Sequence, residues 1–240
     1  MSADPAPILE LRGIRKAYGG LRPLRLDALT LARGASVALL DVEQPAGEVL
    51  MNLITGVTLP DEGEVRLFGR TTAEIADGDE WLTLIDRLGM VSERVVLLEQ
   101  LSVLQNLAVP FTLALDDIPA DALPGITRLR EEVGLAEDRA GDLVGAASPE
   151  TRARLRLARA LALDPQLVLM EHPSAGLTPE AAGRLAADIR AIAARRELAV
   201  LMITADKPFA RAAAATPLSH QPATGALKAA GGWSRWFDRR

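Results

Sequence analysis

The sequence predicts an α/β fold built on a mainly parallel sheet, and three observations carry that reading. Short apolar runs suited to buried strands alternate with segments of helical apolar spacing, the pattern of a sheet covered on both faces. One stretch, at about 95–163, breaks the alternation with helices alone and reads as an insert. The composition supports a sizeable core: 240 residues, 49% hydrophobic and 25% charged, ordinary globular usage.

The elements follow in order. Residues 8–12 and 26–31 alternate apolar and polar, as half-buried strands do, and Arg33-Gly34 is a turn. Residues 36–40 form a short apolar run ending at Asp41, a buried strand. Residues 48–55 have helical spacing and stop at Gly56. Pro60-Asp61-Glu62-Gly63 makes a turn before a strand at 64–68. The spacing predicts helices over 79–88, 101–115, 120–133 and 149–163. A strand at 167–170, a helix at 179–195, a strand at 199–204 and a helix at 208–215 complete the pattern. No fixed-period repeat and no low-complexity linker divides the chain. It reads as one domain over 1–240, with an α/β core at about 8–94 and 164–215, a helical part at about 95–163 and a C-terminal tail at 216–240.

Charge and composition exclude several functions. With 27 Lys and Arg against 32 Asp and Glu, the net charge is −5, which gives no field for general nucleic-acid binding. The absence of cysteine removes thiol catalysis, disulfides and Cys-based zinc sites. The only histidines are His172 and His220. No apolar run of about 18 residues occurs, and residues 1–7 lack a basic n-region and an apolar h-region, so the chain reads as cytoplasmic. Arg152, Arg154, Arg156 and Arg159 cluster on one predicted helix, and in an acidic protein they read as a solvated or ion-paired face. Trp233, Trp236 and Phe237 stand beside arginines in the tail, which suits a membrane interface, a partner groove or packing on the chain's own domain.

The order of short segments carries a resemblance. Tyr18-Gly19 follows the first strand. Val37-Ala38-Leu39-Leu40 leads into 41–49 and then Leu50-Met51-Asn52-Leu53-Ile54-Thr55-Gly56. Leu59-Pro60-Asp61-Glu62-Gly63-Glu64-Val65 comes next. Leu157-Ala158-Arg159-Ala160-Leu161-Ala162-Leu163-Asp164-Pro165 precedes an apolar strand that Pro173-Ser174-Ala175-Gly176-Leu177 follows. Over about 8–215 the chain resembles the ATP-binding cassette of ABC transporters, a P-loop NTPase. The resemblance implies a RecA-like core with a mainly parallel sheet, an edge antiparallel β-subdomain and an inserted α-helical subdomain. It implies docking beneath a transmembrane permease, at the inner face of the cell membrane, and head-to-tail pairing with a second cassette. Segment 101–107 resembles the family's permease-facing segment.

The family's chemical positions depart from its pattern. A P-loop, G-x-x-x-x-G-K-[ST], cradles phosphates with backbone N–H groups, a lysine and a Mg²⁺-binding hydroxyl. Aligned by Leu40 and Leu50, residues 41–49 read as a nine-residue loop with Asp41, Gln44 and Ala46 at the glycine positions. Gly47 stands at the lysine position, Glu48 at the hydroxyl position, and Val49 closes the loop. None of the lysines, Lys16, Lys207 and Lys228, follows a glycine. A carboxylate about 5 Å from a phosphate charge costs on the order of 3 kcal/mol at an effective dielectric of ~20. The Walker B end reads Glu171-His172, the Q-loop position is Glu93, the D-loop position Thr178 and the switch-histidine position Ala205. The signature loop reads Ala147-Ser148-Pro149-Glu150-Thr151 and keeps only Ser148. Tyr18, the adenine-stacking position, stands intact.

The resemblance and these losses together predict a pseudo-ATPase with a structural or regulatory role. No catalytic residue and no cofactor are expected, and ATP with Mg²⁺ would bind weakly. The resemblance brings Glu48, Glu93, Glu171 and His172 near the former Mg²⁺ position, a donor set a divalent cation would accept, but no diagnostic spacing supports a metal. Two alternatives stay open at this point: an atypical ATPase working through His172, and a soluble regulator outside any transporter.

Overall fold

The computed structural model describes residues 6–20, 22–214 and 216–230. In chain order the main elements are β1 (Leu9–Lys16), β2 (Leu24–Leu31), β3 (Ser36–Leu40), α1 (Gln44–Ile54), β4 (Glu62–Leu67), β5 (Arg70–Thr71), α2 (Gly78–Ile85), β6 (Leu88–Val91), α3 (Val103–Ala108), α4 (Leu123–Glu132), α5 (Pro149–Leu161), β7 (Leu167–Glu171), α6 (Pro179–Arg196), β8 (Ala199–Ile203), α7 (Lys207–Ala213), β9 (Thr216–His220) and β10 (Leu227–Ala229).

Two sheets form. The larger has the order β10-β9-β3-β8-β7-β6. Its pairings are parallel from β9 through β6, and β10 adds an antiparallel edge. Strands β7 and β8 are buried at every residue, which explains why their sequences are continuous apolar runs rather than alternations. The smaller sheet, β2-β1-β4-β5, is antiparallel. Its inward residues Leu9, Leu11, Leu26 and Leu31 are almost fully buried, as period-two alternation requires. They share one core with α1 and one face of the large sheet, whereas α3 to α7 pack on the opposite face. The predicted mainly parallel sheet, edge antiparallel subdomain and inserted helices are all present.

Several boundaries differ from the sequence reading, each for a local reason. The helix expected over 79–88 stops at Ile85, and Leu88 begins β6, which pairs in register with β7. The helix expected over 101–115 ends at Ala108 because Pro110 cannot extend it. Phe111 and Leu115, apolar at helical spacing, still pack on the core from irregular backbone. The tail expected from 216 instead supplies β9, which lies directly beside β3 in the large sheet, and β10. The aromatic and basic stretch 231–240, with Trp233, Trp236 and Phe237, lies outside the described residues.

Gly89 fixes how closely α5 approaches the sheet. A β-carbon there would lie 2.3 Å from the carbonyl oxygen of Ala160, far inside contact distance. Gly89→Ala is therefore expected to lower stability by about 1–3 kcal/mol through overpacking, read as a lower urea midpoint, while Gly78→Ala, in open space, leaves that midpoint near its original value.

Candidate functional site

The link from β3 to α1 is three residues, not nine. β3 ends at Leu40 and α1 begins at Gln44, so the helix expected from 48 starts four residues earlier and takes in 44–47 of the stretch read as loop. Pro45 lies in the first turn of α1, where its fixed φ suits a helix start and its missing N–H would have no partner anyway. The amide of Gly47 donates to the Glu43 carbonyl at 2.9 Å and so serves the helix. Gly47 itself is buried, and a β-carbon on it would sit 3.4 Å from Ile203 and 3.9 Å from Val42. At the link's first residue, Asp41 holds φ at +60°. Its carboxylate accepts a 2.6 Å hydrogen bond from the Ser219 hydroxyl and lies 3.6 Å from the Lys207 ammonium.

A phosphate cradle needs several free N–H groups converging from a loop, and a cation. Here Pro45 has no N–H to offer, the Gly47 amide is bonded to the Glu43 carbonyl, and Gly47 supplies no charge. The residues at these positions do not fit Mg-ATP. Among the described residues, no group of three or more His, Cys, Asp or Glu side chains gathers as a metal site. Glu48, Glu93, Glu171 and His172 are therefore not gathered as a metal-holding group.

Glu171 ends β7 and is 7% exposed. The register pairs Val91 with Met170, which brings Ser92 alongside it. The Ser92 hydroxyl donates to Glu171 Oε2 at 2.7 Å, and Arg94 Nε donates to the same oxygen at 3.1 Å. Arg94 is a protein-borne counter-charge where the family's acid would face a metal. His172 follows at φ +45°. Its amide donates to the Ile203 carbonyl at 2.8 Å and its carbonyl accepts from Ala175, so its backbone ties the end of β7 to β8. Glu93, Glu171 and His172 line a cavity of about 410 Å³ that Arg152 and Arg156 close from the side of α5.

The signature and D-loop positions are likewise in structural use, and the switch position is not. Ser148 caps α5, its hydroxyl accepting from the Thr151 amide at 3.1 Å. Glu150 pairs with Arg184 at 2.6 Å and with Arg154 at 3.1 Å. The Arg184 hydrogen bond, opposed by partial burial and helped by Arg154, holds its carboxyl below the ordinary glutamate range. Thr178 caps α6 through the Ala181 amide. Ala205 is exposed and carries no titratable group.

Tyr18 is half-buried against the core beneath the antiparallel sheet. A β-carbon on Gly20 would lie 2.9 Å from its ring, so Gly20 backbone covers it locally. The ring also lines a second cavity, of about 460 Å³, with Arg22, Glu43, Ala46 and His220.

Sequence reasoning missed Ser92 and Arg94 as partners of Glu171, and Ser219 and Lys207 as partners of Asp41. A buried carboxylate at a strand end signals that a cation must stand nearby, but nothing local in the sequence says which of many arginines supplies it. The arginine cluster was half legible. Arg154 is buried and paired with Glu150 and Asp188, Arg152 bonds Val144, Gly145 and Glu99, and Arg159 bonds the Val96 carbonyl.

Comparison with known proteins agrees with this geometry. A family model described as ABC transporter matches residues 46–175. The lipoprotein-releasing system ATP-binding protein LolD of Chromohalobacter salexigens is 31% identical over 210 residues, covering 85% of this chain and 86% of that protein. The methionine import ATP-binding protein MetN of Brucella abortus is 29% identical over 203 residues, covering 84% of this chain and 54% of that one. The chain thus spans about half the length of the methionine-import relatives it matches. The dimeric, post-hydrolysis structure of the ATP-binding cassette MJ0796 bound to ADP and phosphate superposes with a TM-score of 0.75 at 20% identity, over 94% of this chain and all of that one.

Two outcomes follow from the pairings. Arg94→Ala strips the buried Glu171 of its charged partner and is expected to cost about 1–3 kcal/mol. Most of that cost disappears in a Glu171→Gln background, which denaturant titration of the four members of the cycle will read. Glu150 has a depressed folded-state pKa, so its contribution is present above the ordinary glutamate value of about 4.3 and is lost as pH falls through the folded value. The difference in urea midpoint between the unaltered chain and Glu150→Gln is expected to be largest at pH 7 and to shrink towards zero on acidification.

Proposed function

The chain belongs to the ABC transporter family, and we propose on that premise that it is a cassette subunit that has given up hydrolysis. It acts as a pseudo-ATPase with a structural or regulatory role, docked on a membrane permease or a partner cassette at the inner face of the membrane. The observation that carries this reading is at Gly47. The position where the family has its phosphate-binding lysine is a buried helical glycine whose amide is bonded to Glu43.

Further support comes from the rest of the former site. Arg94 holds Glu171 where a metal would be needed, and Ser148 and Glu150 serve α5 rather than a ligand across a dimer interface. No cofactor is required on this reading. The family's two-cassette arrangement places each nucleotide between one chain's P-loop and the other's signature, and this chain offers neither half.

The docking face keeps its build. Asn106, fully buried, accepts from the Leu98 amide and donates to the Leu98 and Ser102 carbonyls, each at 2.9–3.0 Å. It thereby fixes the turn that presents Val96, which is 70% exposed. A cavity of about 300 Å³ opens beside it, lined by Glu93, Leu97, Glu99 and Arg152. A short helix from a permease fits such a groove. Among the described residues no helix is long and apolar enough to cross a membrane, so a membrane position would come through the partner.

Phosphate release from Mg-ATP is the test. Background rates are expected from the purified chain and from His172→Ala alike. Turnover by the unaltered chain that His172→Ala abolishes would instead make it an atypical ATPase.

A further inference from the structure

Arg156 stands between two tethered arginines on one face of α5. Residues 152, 156 and 159 are spaced i, i+4 and i+7, so they share that face. Arg152 is held by two backbone carbonyls and Glu99, and Arg159 by the Val96 carbonyl. Arg156 makes no hydrogen bond or ion pair among the described residues, and its Nε is enclosed without an acceptor. Burial lowers its pKa, Glu93 partly opposes that, and Arg152 repels it, yet a guanidinium stays charged in proteins. Only Nε is enclosed and the side chain as a whole is half-buried, so the unmet need is that of one donor, which an arriving acceptor satisfies.

The surroundings say where that acceptor comes from. Arg156 lines both the 410 Å³ cavity and the 300 Å³ cavity, so it lies in the groove beside Val96. The carboxylates already there do not meet its need. Glu99 is bound to Arg152 and Glu171 to Arg94, while Glu93 is exposed and forms no ion pair with it.

We propose that Arg156 receives a carboxylate from the segment that docks in this groove, a helix presenting one Asp or Glu beside apolar side chains that cover Val96. This rests on the permease-docking reading above and adds the chemistry of the partner. The pair would be charge-assisted and shielded from water by the groove walls, the setting in which such pairs contribute most to a contact.

Zero-length carbodiimide coupling tests it, because the reagent joins an amine to a touching carboxylate with loss of water and cannot use a guanidinium. The tagged full chain, its Arg156→Gln variant and its Arg156→Lys variant are each purified in mild detergent from cells that make the whole complex. Arg156 has no internal partner, so both variants are expected to keep the melting temperature of the unaltered chain. The expected result is a membrane subunit retained by the unaltered chain and reduced about tenfold by Arg156→Gln. With Arg156→Lys, mass spectrometry then finds an amide from position 156 to an Asp or Glu of that subunit. Equal retention by Arg156→Gln, or coupling of position 156 only to Glu93, would overturn the inference and leave docking standing. Failure of the unaltered chain to retain any membrane subunit would overturn the docking reading and this inference with it.

Discussion

The length of the backbone link between β3 and α1 governs the rest of the site. Three residues carry the chain from the sheet into the helix; in its first turn Pro45 has no N–H and the Gly47 amide is bonded to the Glu43 carbonyl. Once α1 starts at Gln44, Gly47 faces Ile203 and Val42, and the link's Asp41 is anchored to β9 and α7 by Ser219 and Lys207. These contacts hold the link from both ends.

Charge balance at the end of β7 follows the same logic. A carboxylate as buried as Glu171 needs a cation or several donors. A bound metal is one solution, and Arg94 with Ser92 is another that costs no ligand. The second is supplied from within the chain, by the Ser92 hydroxyl and the Arg94 guanidinium. The same holds for Ser148 and Thr178, whose hydroxyls satisfy the first amides of α5 and α6. The scaffold meanwhile persists because its requirements are of another kind. It depends on apolar periodicity, on Gly89 allowing α5 to touch the sheet, and on Asn106 bracing the turn after β6, none of which involves ATP.

Much of this fold could be read from the sequence, because period-two and period-3.6 apolar patterns are local signals. The order of strands and the inserted helices followed from them and from the family resemblance. What escaped was set by distance or by a single residue. β9 was missed because Thr216–His220 is a mixed polar run, and only its place beside β3 makes it a strand. The early end of α3 was written in Pro110 but was outvoted by apolar spacing that the core uses anyway. In the site, the absence of a lysine was plain from the sequence. The burial of Gly47 against Ile203, more than 150 residues away, was not. Arg94 escaped for the same reason: its partner lies on a neighbouring strand 77 residues further on.

The central claim is that the chain's own groups occupy the places of phosphate and metal. Calorimetric titration of the purified chain with Mg-ATP up to millimolar concentration tests it most directly. The account predicts no saturable heat beyond dilution. Saturable one-to-one binding would contradict it, since phosphates would then be held without a lysine and beside the carboxylates of Asp41 and Glu43.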